Sequence, residues 1–178
     1  MQVDINTLRS IMEEFSKEND SIGVAMAIPD FVCFSNGISL SVPKKIVRNS
    51  KKIDKLEDGI RIQKHYKHDT TELEKELVDI KRKNKEYIKS FTGYLANILA
   101  SNFEGIFVEE ADKKWERESR AMCDSEDQLW SDFTNHLERL CKRHHRLLDF
   151  VPTPYETADS MKTRDHIAAA KSIIITEN

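Results

Sequence analysis

Glycine and proline are scarce in this chain, with five Gly and four Pro in 178 residues. A protein of many short strands needs more turn residues than that, so the shortage favours long helices. Five glycines also leave little for a nucleotide-cradling loop. No glycine-rich phosphate loop, G-x-S-x-G, H-E-x-x-H or paired C-x-x-C occurs. The absence of such signatures predicts a protein that is not an enzyme and carries no cofactor. Cys33, Cys123 and Cys141 are an odd, widely spaced set. That argues against a disulfide framework and for a reducing, cytoplasmic setting. No run approaches the roughly 18 apolar residues of a membrane span. The opening MQVDINTLRS has neither the basic nor the apolar region of a signal peptide.

Charge, by contrast, is abundant. Asp, Glu, Lys and Arg make up 33% of the chain, above the roughly 25% of an average domain. The net charge of −3 hides a segregation along the sequence. Residues 43–68 carry nine basic side chains against three acidic ones, whereas residues 104–128 carry four against nine. Separation of this kind bears on partners more than on fold.

Residues 4–18 read as an amphipathic helix capped by Asp4, with Ile5, Leu8, Ile11, Met12 and Phe15 on one face. Alternation then takes over. Val24, Met26 and Ile28, the run 31–34, and Ile38, Leu40 and Val42 around Asn36-Gly37 predict a three-stranded antiparallel meander. Pro43 suits the first position of the next helix, which either stops at Gly59 or runs through it. A Thr71/Glu74 capping box opens the clearest pattern. Leu73, Leu77, Ile80, Asn84, Tyr87, Phe91, Tyr94 and Ile98 follow at steps of four and three, the spacing of a coiled-coil seam.

After a bend at 102–105, Val108, Ala111, Trp115 and Met122 recur at helical spacing. Trp130, Phe133, Leu137, Leu140, His144 and Leu147 form a second seam from a start near Ser125. A linker at 151–154 leads to a last helix capped at Thr153, with a β-branched tail at 172–175. The predicted fold is mostly α. Residues 1–42 form a small α+β head of a helix plus a β-meander, and residues 43–178 form an extended coiled-coil-like helical bundle.

Three features bear on function. The basic segment Lys44, Lys45, Arg48, Lys51, Lys52, Lys55, Arg61, Lys64 and Lys67 can neutralise phosphates, and Tyr66 offers an aromatic platform among them. Lysine dominates over the bidentate Arg that reads bases, so contacts to the backbone of DNA or RNA are expected, with little sequence reading. A solvated helix face is the plain alternative. Asn84 inside the heptad seam would set register within a bundle or a homo-oligomer, and His144 of the second seam is one candidate to meet it. Glu138, Cys141 and His145 lie at i, i+3 and i+7 with the Asp132/His136 pair nearby, and His136, Cys141 and His145 are weak candidates for a zinc-type ion, with an incomplete ligand set. Cys141 reads equally well as a small buried residue. Glu109, Glu110, Asp112, Glu116 and Glu118 form an acidic stretch that suits either a basic partner or solvent. Together these features predict a non-enzymatic adaptor, accessory factor or inhibitor that binds a protein partner. The alternatives are a nucleic-acid accessory protein working through residues 44–68 and, more remotely, a metal-dependent enzyme.

Overall fold

The computed structural model describes residues 2–27, 30–110, 124–152 and 170–171. In chain order the elements are β1 (Gln2–Val3), α1 (Ile5–Phe15), β2 (Ser21–Met26), β3 (Val32–Phe34), β4 (Ser39–Leu40), α2 (Lys44–His65), α3 (Thr71–Asn102), β5 (Gly105–Glu110), α4 (Asp124–His144) and β6 (Leu147–Pro152). The strands form one six-stranded mixed sheet in the order β1-β4-β3-β2-β5-β6. The chain divides into two compact units, Met1–Ser41 with Thr92–Asn178, and Val42–Phe91. Helix α3 supplies residues to both.

The first unit holds the sheet. Asp4 caps α1, its Oδ1 accepting from the Asn6 and Thr7 amides at 3.0 and 2.8 Å. Burial of Leu8 and Met12 then fixes the inward face of that helix. Strand β2 is central and almost wholly buried, pairing antiparallel with β3 and parallel with β5. The turn between β3 and β4 rests on Gly37, whose φ of +85° only glycine adopts freely. The Asn36 side chain braces it by accepting from the Ile38 amide at 3.1 Å. On β6, Leu147–Pro152 pairs parallel with β5, and Pro152 stands at the strand's end, where a missing donor is tolerated.

The expected coiled-coil helical bundle carrying a three-stranded meander is therefore not the architecture. Strands β2, β3 and β4 do pair antiparallel, but as part of a larger sheet whose β2-β5-β6 portion is parallel. The error lies in two segments. The periodicity assigns residues 105–110 to a bend and the start of a helix, and residues 147–152 to the end of a helix and a linker, where the structure has β5 and β6. A parallel strand buried on both faces shows a continuous apolar run rather than alternation. Ile106-Phe107-Val108 is such a run, and helical spacing used only its last member. Gly105 starts this strand where a Cβ would lie 2.7 Å from Ser21 Oγ of β2.

The second apolar seam also has a different partner. Trp130, Phe133, Leu137 and Cys141 of α4 are buried, whereas His144 is exposed and Leu147 belongs to β6. Phe31, just ahead of β3, meets the rings of Trp130 and Phe133 edge-on at 6.3 and 5.9 Å. The stripe of α4 thus packs against the entry to a strand. Ala25, Phe107, Ala170 and Val151 form a further apolar cluster on the sheet. Among the described residues no helix is long and apolar enough to cross a membrane. The helix expected after Thr153, the tail at 172–175, and Ala111, Trp115 and Met122 lie outside the described residues.

Candidate nucleic-acid interface

The second unit is an antiparallel pairing of α2 with the first part of α3. Pro43 precedes α2 as its N-terminal cap, one position earlier than expected, and the helix runs through Gly59 to His65. At the start of α3, Thr70 takes the capping place, one residue before the predicted Thr71. Its hydroxyl donates to Glu74 Oε1 at 2.9 Å, and Asp69 Oδ1 accepts from the Thr71 amide and hydroxyl at 3.0 and 2.6 Å.

Polar and ionic contacts mark one face of α2 as the side turned to α3. Lys45 stands over the Tyr87 ring at 4.4 Å. The Asn49 amide donates to Asn84 Oδ1 at 3.1 Å. Lys52 pairs with Glu76 at 2.6 Å, Lys81 with Glu57 at 2.5 Å and Lys64 with Glu74 at 2.8 Å. Exposed ion pairs of this kind add little stability, so their main consequence is to use up these charges and set the helix's rotation.

Four cations are left over. Lys44, Arg48, Lys51 and Lys55 are exposed, and none has a carboxylate within ion-pair distance among the described residues. Their spacing is four, three and four. At about 100° per residue they fall within roughly 60° of arc, so they form one stripe along α2. Asp58, the carboxylate nearest this stripe in the helical projection, is held by Arg61 at 2.8 Å. With Val47 and Lys52 the stripe lines a surface depression of about 520 Å³. Lys67, beyond the helix at a φ of +58°, is also exposed and without an ion pair among the described residues. Of the nine basic residues singled out in the sequence, Lys52, Arg61 and Lys64 are ion-paired, Lys45 lies over a ring, and Lys44, Arg48, Lys51, Lys55 and Lys67 have no ion pair among the described residues.

The seam residues are not equivalent either. Leu73, Leu77, Ile80 and Tyr87 are half-buried, and Asn84, Phe91 and Ile98 are buried. Tyr94 is 37% exposed, off the buried face. Asn84 is only 4% exposed and finds its partner in Asn49 of α2, rather than in His144.

The candidate metal ligands do not converge. The His136 ring packs beside Gly93, with ring atoms 3.6 to 3.7 Å from where a Cβ would stand. His145 is exposed in the turn after α4, at a φ of +54°. Cys141 is buried, and burial pushes its thiol up to about 11 against a smaller downward pull from Arg146. That shift disfavours the thiolate a metal requires. Among the described residues no group of three His, Cys, Asp or Glu side chains is placed to hold an ion.

Glu109 departs from the acidic stretch in which the sequence placed it. It lies on β5, 1% exposed, and its Oε2 accepts from the Met26 amide at 2.9 Å. The signal was the strand-like run before it, which removes Glu109 from any wet helix face. Asp112, Glu116 and Glu118 lie outside the described residues. No protein-family model matches the chain, and no curated protein matches it significantly in sequence.

Proposed function

We propose that the protein is a non-enzymatic accessory factor that binds nucleic acid through its phosphate backbone, along the Lys44–Arg48–Lys51–Lys55 face of α2. One observation carries this reading. Where α2 meets α3, its lysines are matched by Glu76, Glu74 and the Tyr87 ring, yet four cations in a row along α2 have no ion pair among the described residues. Their spacing places positive charges about 5 Å apart along the helix axis, a pitch suited to a polyanion. A stripe of this kind neutralises phosphates and releases counterions without reading bases. It narrows the broader expectation of a macromolecular interaction protein to an anionic chain as partner.

The test is titration of fluorescent duplex and single-stranded DNA and RNA with the intact protein at low and moderate salt. Binding that weakens steeply with salt, and that disappears when Lys44, Arg48, Lys51 and Lys55 are all replaced by Glu, is the expected result. Lys75→Ala serves as control, because Lys75 is already paired with Glu72 within its own helix and lies away from the stripe, and its affinity should match that of the parent protein. No binding at low salt would sink the proposal and leave the stripe as a solvated face.

A further inference from the structure

We infer that the nucleic acid taken by this face is single-stranded and that one of its bases stacks on Tyr66 at the end of the cationic stripe. The inference rests on the phosphate-binding reading above and adds to it the class of strand and an aromatic contact.

The stripe does not end at Lys55. Gly59, Ile62 and Tyr66 follow at steps of four, three and four, continuing the same progression. On a helix turning about 100° per residue, the seven positions from Lys44 to Tyr66 fall within roughly 80° of arc. Tyr66 caps α2 with a backbone still close to helical, at φ −87° and ψ 8°, so it stays on that face. Nothing lies within 4 Å of a Cβ built on Gly59, which leaves a gap in side-chain cover between the charged and apolar parts. Ile62 is 55% exposed and Tyr66 66% exposed, although both are large and apolar. Burial in this unit does not account for either side chain. The Tyr66 ring is flanked by His65 at 5.2 Å, edge to face, and by His68 at 6.3 Å. Two neighbouring rings thus brace the tyrosine while much of its surface stays open.

One face of one helix therefore presents four cations with no ion pair among the described residues, followed by an apolar step and an open aromatic ring. Cations along a groove with an aromatic platform are what single strands require, because phosphates follow the charges while an unpaired base offers its flat face to the ring. A duplex keeps its bases stacked inward and offers Tyr66 nothing but its backbone. An acidic polypeptide would use the lysines but has no reason to favour the ring. From Lys44 to Tyr66 the helix rises about 33 Å. At about 3.4 Å per nucleotide of a stacked strand, that is a site of roughly ten nucleotides.

The experiment uses the intact protein with three fluorescent probes, namely a ten-nucleotide oligothymidylate, a ten-unit abasic strand with the same phosphates, and a ten-base-pair duplex. The parent protein should hold oligothymidylate about five- to a hundredfold more tightly than the abasic strand. Tyr66→Ala should erase that preference while leaving abasic affinity unchanged, and Tyr66→Phe should keep it. Lys51→Glu with Lys55→Glu should weaken binding of all three probes. If Tyr66→Ala binds oligothymidylate as the parent does, or if the duplex is held as tightly as the single strand, the stacking inference is wrong and the phosphate reading survives. If polyglutamate displaces oligothymidylate as effectively as unlabelled oligothymidylate does, the partner is an acidic polypeptide and the inference falls. Failure to bind any probe would remove the phosphate reading and this inference with it.

Discussion

Glu109 and Cys141 are polar side chains placed where water does not reach. The Glu109 carboxylate accepts from the Met26 amide, which points from β2 toward β5 at the end of their parallel pairing. Glu109→Gln retains an acceptor for the Met26 amide, whereas Glu109→Leu removes this buried hydrogen bond to a charged group, at about 1–3 kcal/mol. Urea unfolding should show the Leu variant destabilised by roughly that amount and the Gln variant by less. Equal losses would mean that charge or packing, rather than the hydrogen bond, is what the position supplies. For Cys141 burial favours the neutral thiol, with its pKa up to about 11. In a Cys33→Ser, Cys123→Ser background, the remaining thiol should react with a disulfide reagent at pH 8 roughly a hundredfold more slowly than free cysteine. Full speed should return in denaturant, and fast reaction in the native protein would show an exposed thiolate instead.

At the scale of elements, the junction between α2 and α3 is tied to pH. The Thr71 hydroxyl and amide hold Asp69 below its ordinary carboxylate range. Lys64, and then Thr70, do the same for Glu74. A carboxylate with a lowered folded pKa adds stability above its unfolded pKa and loses it as pH falls through the folded value. Protection of the Thr71 amide against hydrogen exchange should therefore hold at neutral pH and decline below about pH 4. Asp69→Ala should lower that protection about fivefold already at pH 7. Flat protection from pH 7 to pH 3 would show that these carboxylates do not support the helix start.

The same scale shows what the sequence conveys and what it withholds. Periodicity marks an apolar face but does not say what covers it. Trp130, Phe133 and Leu137 make one stripe whether a helix or Phe31 lies opposite, and Phe31 is about 100 residues away in sequence. A run such as Ile106-Phe107-Val108 is too short for its period to be read, and its pairing with Ile22 and Val24 on one side and with Leu148 and Phe150 on the other makes it a strand. The basic residues of α2 were plain in the sequence. Their division into neutralised and free sets was not, because it depends on Glu74, Glu76 and Tyr87 arriving from α3.

Taken as a whole, the molecule is weakly anionic, with a net charge of −3, so its average field does not draw nucleic acid toward it. If it binds a polyanion, a local stripe must do so, and the salt dependence then counts the cations engaged. Each phosphate neutralised contributes a slope of about −0.7 on a single strand and −0.9 on a duplex in a plot of log affinity against log salt. Four stripe residues predict slopes of about −2.8 and −3.6. Lys51→Ala with Lys55→Ala should flatten the single-strand slope to about −1.4. Lys75→Ala should leave it unchanged, since Lys75 is already paired with Glu72 at 2.8 Å. An equal flattening by Lys75→Ala would mean that binding follows total charge rather than the face of α2. A slope near zero in the parent protein would mean that no phosphates are neutralised at all.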